Sequence, residues 1–399
     1  MRNYGLITPE GTKDLLFEEC IIRHNIEHEL HRIFKQSGYC ELITPGLEFY
    51  DVFNLKSLSL PQENMYKLTD SKGRLLVMRP DSTIPIARAV ATRLKEASLP
   101  LRIYYNQTVY RPEPLLRGRS DEIVQTGIEL IGSSLKIADF EVISTAVASL
   151  KAFGSNFSIE IGNIGIFNTL AASLGASEET AETIRHFVEN KDYPALHELL
   201  DSLGNSPTIA ALKYLPSLFG GEEIFDKALG IMPDGEITGI LNDLRDIYNA
   251  IIQICGDGAN ITVDLGLVNK TDYYTGLIIK GYLEGCGEEV LSGGRYDRLI
   301  SEFGYDVPAV GFAVNVDAVA KVIAKNSCNI AVPVADTIIF AQPGFEALAV
   351  IAAQEFRDKG EIVELSLFDD IQLVRDYTKE KRISKLVIID GESEVGSAI

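Results

Sequence analysis

VYRPEPLLRGRSDEIVQTGIELIG, residues 109–132, and DLGLVNKTDYYTGLIIKGYLEGCGEEVLSGGRYDRL, residues 264–299, carry most of what this chain reveals. In the first stretch, alternation over 122–131 predicts a strand. Ile123, Gln125, Gly127 and Glu129 share one face, and Val124, Thr126, Ile128 and Leu130 take the other. Gln125 and Glu129 then stand on either side of a glycine, facing one surface. Two polar side chains directed at a core are costly to leave unpaired, so they are candidate ligand contacts. Glu129 suits an imidazole N–H, and Gln125 suits an amine or a carboxylate. In the second stretch Tyr273 and Tyr274 precede Thr275-Gly276, and one of the two tyrosines is expected to face the cleft with Glu129. Gly293-Gly294 allows close backbone approach and is read as a turn into a helix. The pair is no phosphate loop, because neither GxxxxGK[ST] nor GxGxxG follows a suitable strand.

Working outward, LLVMRPDST at 75–83 reads as a strand that ends at a helix start, with Ser82 or Thr83 as its cap and Pro85 in the first turn. Asp81 and Thr83 either serve that cap or meet an α-ammonium group; the segment alone leaves both readings open. Strand-like runs at 75–80, 101–109 and 122–131, with helices over 17–36 and 137–152, predict an α+β core. From about 163 to 255 the pattern turns mainly helical, as an insertion would. Strand signals then resume and complete the first sheet. Residues 1–325 are therefore expected to form the core with the insertion inside it, and 326–399 a small α/β domain. The first helix carries Ile22, Ile26, Leu30, Ile33 and Phe34 as its apolar stripe. His24, His28 and His31 lie off it, on a face read as solvated rather than as a metal site.

The 399 residues carry a formal charge of −20, which repels phosphate backbones and argues against nucleic acid as the main partner. Five scattered cysteines show neither a disulfide framework nor a zinc knuckle. No apolar run is long enough to span a bilayer and no signal core opens the chain, so a cytoplasmic protein is expected.

These strings resemble the histidyl branch of the class II aminoacyl-tRNA synthetases over about residues 5–325. RPEPLLRGRSDEIVQTGIELIG resembles the second class signature, LVNKTDYYTG the histidyl LVRGLDYYTG, and LSGGRYDRL the histidyl GGRYDGL. VPAVGFAVNVDAV resembles the third signature, while GTKDLL and the Pro45 region resemble the start and the dimer-forming first signature. The resemblance implies a class II antiparallel sheet flanked by helices. It also implies a histidine pocket made of Asp81, Thr83, Arg111, Gln125, Glu129, Tyr273 and Tyr274. In it Asp81 replaces the family's amine-binding glutamate, and Glu129 meets the imidazole.

The departures fall on the nucleotide side. Asn269, Lys270 and Thr271 stand in place of Arg-Gly-Leu, and Asp121 replaces an arginine of the second signature. Asn315 and Ala318 replace the glycine and the ATP-contacting arginine of the third. Amino-acid activation needs such guanidiniums to grip phosphate oxygens and to stabilise charge on the transferred phosphorus. A kept pocket beside a stripped reaction centre resembles the regulatory subunits of ATP phosphoribosyltransferase. That likeness implies no catalytic residue, metal or cofactor in this chain. It further implies self-association as a dimer, a hetero-octamer with a short-form catalytic subunit, and L-histidine as effector in the first step of histidine synthesis. A divergent active histidyl-tRNA synthetase and a histidine sensor with another client are the competing readings. A ligand-free dimerisation protein is the plainest alternative.

Overall fold

The computed structural model describes residues 4–55, 62–112, 120–256, 260–268, 273–326, 332–390 and 396–398. The chain divides into two compact units, Met1–Cys328 and Asn329–Ile399. Asn269 to Asp272, the 113–119 stretch and Cys328 lie outside the described residues. Cys20, Cys40, Cys255 and Cys286 are free thiols.

In the first unit the described residues form a nine-stranded sheet. Its order is Cys40–Glu41, Leu101–Tyr110, Glu122–Ile131, Ala309–Asn315, Leu291–Arg295, Leu277–Leu283, Phe157–Asn163, Asn260–Asp264, Phe219–Gly220. Neighbours pair antiparallel, except that Cys40–Glu41 runs parallel to Leu101–Tyr110 and Phe157–Asn163 parallel to Asn260–Asp264. The antiparallel class II sheet is thus the centre of a mixed one. Strands from beyond the helical insertion complete it. Ala309–Asn315 lies against Glu122–Ile131, with Gly311 opposite Glu129 and Asn315 opposite Gln125.

The insertion breaks where the sequence offers caps. Asn163, Ser177, Asp192 and Ser206 each accept a backbone N–H in the first turn of the helices Ile164–Leu174, Glu178–Glu189, Tyr193–Ser202 and Pro207–Tyr214. Each such cap contributes about 1 kcal/mol. Glu223–Leu229 and Glu236–Cys255 follow.

Alternation gives the sheet two different faces. Tyr104, Ile128 and Phe312 point to the face covered by helix Glu18–Gln36, whose Phe34 ring lies 6.2 Å from Tyr104 and 6.0 Å from Phe312. Helices Lys136–Lys151 and Val316–Asn326 pack beside it. His31 is half-buried there, its ring 5.1 Å from that of Tyr104, rather than on a solvated stripe. The opposite face carries Gln125, Gly127 and Glu129. One end of it is covered by helix Thr83–Arg93 and an apolar cluster that includes Phe53, Val77, Ile84, Ile103 and Tyr296.

Three local expectations change. Leu75–Met78 joins a separate sheet with Leu47–Phe49 and Lys67–Thr69. The buried Arg79 ties the two sheets together by donating to the carbonyls of Thr44, Pro45 and Thr108. Helix Thr83–Arg93 is capped by Asp81, whose Oδ1 accepts from the Ile84 amide at 2.9 Å, and not by Ser82 or Thr83. Gly293-Gly294 lies inside a strand rather than at a turn. A Cβ at Gly293 would overlap Gly311 and Phe312, and one at Gly294 would overlap Leu277 and press on Tyr274, so tight packing demands the glycines.

The second unit has a four-stranded sheet in the order Val363–Leu365, Thr337–Ala341, Lys385–Ile389, Gly396–Ala398. The last strand is antiparallel to its neighbour and the other pairs are parallel. Helix Glu346–Asp358 buries Ala349, Ala353 and Phe356 with Ile339 and Val387. Helix Ile371–Lys381 sets Val374 in a second cluster with Ile338, Phe340 and Leu386.

One buried ion pair pins a helix to the covered face of the large sheet. Arg295 donates through Nε and Nη2 to Asp139 at 3.0 and 2.7 Å, and Asp297 takes Nη1 at 3.0 Å. Burial pushes the Asp139 carboxyl above its ordinary value, and the guanidinium opposes that. Removing one partner would strand the other charge, so Arg295→Met is expected to cost about 3–5 kcal/mol. The check is the urea midpoint followed by tyrosine fluorescence, the chain having 16 Tyr and no Trp. An unmoved midpoint would show that Asp139 does not depend on Arg295.

Candidate functional site

A cleft of about 1640 Å³ takes in the open part of the second sheet face and extends to helices Glu18–Gln36 and Val316–Asn326. All seven residues that the resemblance singles out line it: Asp81, Thr83, Arg111, Gln125, Glu129, Tyr273 and Tyr274. Four separate segments deliver them. Strand Glu122–Ile131 supplies Gln125 and Glu129, and the start of helix Thr83–Arg93 supplies Asp81 and Thr83. Arg111 follows strand Leu101–Tyr110, and the tyrosines precede strand Leu277–Leu283.

Glu129 sits at the deep end, only 1% exposed. Its Oε1 accepts from the Thr83 hydroxyl at 2.9 Å and its Oε2 from the Tyr296 hydroxyl at 2.5 Å. Burial pushes its carboxyl up to about 8; the two hydroxyls pull it back down and the Asp81 charge adds to the rise. A cationic or N–H-bearing ring entering beside it would be well matched to such a group. The register explains the room: Gly311 stands opposite Glu129, and a Cβ there would overlap its carboxylate. Gly127 is equally constrained, by the Phe312 carbonyl and the Tyr105 hydroxyl.

Toward the mouth, Asp81 accepts from the Tyr273 hydroxyl at 3.4 Å through Oδ2, the oxygen not engaged in capping. Arg111 donates through Nε to the Pro80 carbonyl at 2.7 Å, and its Nη2 is 3.8 Å from Asp81 Oδ2. Tyr273 and Tyr274 meet edge to face with centroids 5.0 Å apart, and Tyr273 meets Tyr296 at 5.8 Å. Both members of the pair line the cleft, where the residue pattern alone placed one and the resemblance implied two. The result is an acid at the bottom, an aromatic wall, and an acid and a guanidinium at the entrance, a set suited to a zwitterion with a nitrogen-bearing ring.

Among the described residues, positions that depart from the synthetase pattern are engaged elsewhere. Asn315 Oδ1 accepts from the Ala318 amide at 3.0 Å and so caps helix Val316–Asn326, while Asp317 accepts from the Val124 amide at 2.8 Å. Ala318 is fully buried. Asp121 accepts from the Tyr66 hydroxyl. Tyr105 and Tyr296 were missed as site residues. Tyr296 lay within the GGRYD string, but its alignment with Glu129 comes from pairing across strands that no single segment displays. The far end of the cleft holds Glu160 and Asp264, with Tyr282 donating to Glu160 at 3.0 Å. Burial, then the neighbouring Glu160, raises the Asp264 carboxyl to about 6.

The family model for histidyl-tRNA synthetase matches residues 11–319. An ATP phosphoribosyltransferase regulatory subunit of Clostridium botulinum is 40% identical over 399 residues, covering 99% of this chain and 94% of the relative. Its counterpart in Clostridium acetobutylicum is 41% identical over 396 residues, covering 98% and 97%. The crystal structure of an ATP phosphoribosyltransferase regulatory subunit/histidyl-tRNA synthetase from Bacillus halodurans superposes with a TM-score of 0.84 at 30% identity. It covers 98% of this chain and 100% of the other. With likeness of this degree along nearly its whole length, the chain belongs to the ATP phosphoribosyltransferase regulatory subunits, a family built on the histidyl-tRNA synthetase fold.

Proposed function

We propose that this chain is a non-catalytic subunit that a short-form ATP phosphoribosyltransferase requires for activity, and that it conveys feedback inhibition by L-histidine bound in the cleft. The observation that carries the reading is the sealed Glu129, held by Thr83 and Tyr296 beneath Asp81 and Arg111. In this pocket Glu129 takes the imidazole, Asp81 and Gln125 the ammonium group, and Arg111 the carboxylate, with Tyr273 and Tyr274 enclosing the ring. The positions that a synthetase would use for ATP are spent on a helix cap and a buried alanine. A sensor has no use for them. It needs histidine to bind one assembly state more tightly than another, because a ligand shifts an equilibrium only by its differential affinity.

The deciding experiment measures phosphoribosyl-ATP formation by the short catalytic subunit, with and without this chain, as L-histidine is titrated. Activation that histidine reverses is expected. Absence of activation together with histidine-dependent ATP–pyrophosphate exchange would favour an active synthetase instead.

Two outcomes follow from Glu129. Replacing it with Gln keeps the shape but removes the acid, so histidine should bind about 10–100-fold more weakly by calorimetry, the range for a charged hydrogen bond. Unchanged affinity would remove Glu129 from the pocket.

The second outcome is the pH dependence of stability without ligand. The folded-state value of about 8 lies above the ordinary 4.5, so the folded chain holds this proton more tightly than the unfolded one. That contribution is complete below the ordinary value and is lost as pH rises through about 8. Relative to Glu129→Gln, the wild-type melting temperature should therefore decline between pH 5 and 9. A flat difference would show that the carboxyl is not held protonated.

A further inference from the structure

We infer that the cleft takes its ligand's ring as a cation, by handing it the proton that Glu129 carries when the cleft is empty; this rests on the histidine pocket proposed above. The hydrogen bonds around Glu129 are those of a carboxylate. Oε1 accepts from the Thr83 hydroxyl and Oε2 from the Tyr296 hydroxyl, so each oxygen already receives a hydrogen. A buried carboxylate also needs a counter-charge. Among the described residues, the charge that bears on Glu129 is instead a second acid, Asp81. Arg111 stays at the entrance, beside Asp81.

The other titratable groups close enough to feel Glu129 are phenols. Tyr105 comes from strand Leu101–Tyr110, Tyr273 and Tyr274 from the segment before Leu277–Leu283, and Tyr296 from just past Leu291–Arg295. Tyr39 comes from the turn after the first helix. Burial raises all five hydroxyls above their ordinary value, so none is charged between pH 5 and 9. Strand Ala309–Asn315 brings only Gly311 to the position opposite Glu129.

The site is thus shaped for a charge that it cannot hold alone. The empty cleft keeps Glu129 as the neutral acid, in keeping with a carboxyl lifted to about 8 by burial. A ring with a basic nitrogen changes the balance. The proton leaves the Glu129 oxygen and bonds to the ring nitrogen, the ring becomes an imidazolium, and the carboxylate left behind keeps both hydroxyl donors. Near neutral pH this needs no proton from solvent. Asp81, which opposed the carboxylate, favours the ring cation, and the aromatic rings of Tyr273 and Tyr274 line the same cleft. The ligand class that follows is an amino acid whose side-chain ring is a base of near-neutral strength.

The test counts the protons and then locates them. L-Histidine is titrated by calorimetry into the full-length chain at pH 7 and pH 8.5, in buffers of different ionisation heat. Glu129→Gln serves as the reference, since it shares the ligand's own amine titration. With a ring value of about 6.5 in solution and Glu129 at about 8, the wild type should take up almost no proton at pH 7 and about 0.7 more than the variant at pH 8.5. Ring-labelled ¹⁵N-histidine bound at pH 8 should show both nitrogens protonated by NMR. Tyr296→Phe removes a donor that favours the carboxylate, so uptake at pH 8.5 should shrink. Asp81→Asn, which keeps an oxygen for the helix cap, should enlarge it.

Uptake of nearly a whole proton already at pH 7 would mean that Glu129 is charged in the empty cleft. No excess over Glu129→Gln at pH 8.5, or a bound ring with one bare nitrogen, would mean that nothing is handed over. Each of these results overturns the proposal. Should the variants fail to fold or to bind, the wild-type proton counts and the nitrogen signals decide by themselves. A wild type that binds no histidine brings down the pocket itself, a result distinct from binding without transfer.

Discussion

Much of this molecule is arranged around a carboxylate that water does not reach. Glu129 is acceptable in its interior position only because two hydroxyls satisfy it, and those hydroxyls come from segments more than 200 residues apart, at Thr83 and Tyr296. Each side of the arrangement constrains a neighbour. The strand opposite must present Gly311, since any side chain there would overlap the acid. Helix Thr83–Arg93 must begin where it does for Thr83 to reach Oε1, and Asp81, by capping that helix, fixes the start. A buried polar group left half satisfied would cost more than an apolar replacement, so these contacts hold together as a set.

The two faces of the sheet divide the work. One is closed by helices and by the Arg295–Asp139 pair, which anchors helix Lys136–Lys151 behind the strands. Within the cleft two groups of side chains make different kinds of contact. Asp81, Arg111 and the tyrosine pair gather at one end, whereas Asn315 and Asp317 accept from the backbone amides of Ala318 and Val124.

Short-range pattern was enough to find the strand Glu122–Ile131, the first helix with its stripe from Ile22 to Phe34, and the alternating tail. The seven cleft residues were legible through strings such as DYYTG and EIVQTGIELIG, whose resemblance to a known family singled them out. What the pattern could not give was anything decided across the sheet. Gly293-Gly294 looked like a turn because glycine pairs often are one, yet the demand on them comes from Phe312 and Tyr274. Ser82 and Thr83 looked like caps by type, but Asp81 reached the Ile84 amide and released Thr83 to Glu129. His31 seemed solvated on its own helix until Tyr104 from another segment closed over it.

Ala318 limits what its helix can carry. The side chain is fully buried at the start of a helix whose first turn is already capped by Asn315. A guanidinium there would push a long charged group into the packed interior, a cost of several kcal/mol before any phosphate could be gripped. A cation at this position is therefore opposed by the packing of the helix before any question of phosphate arises.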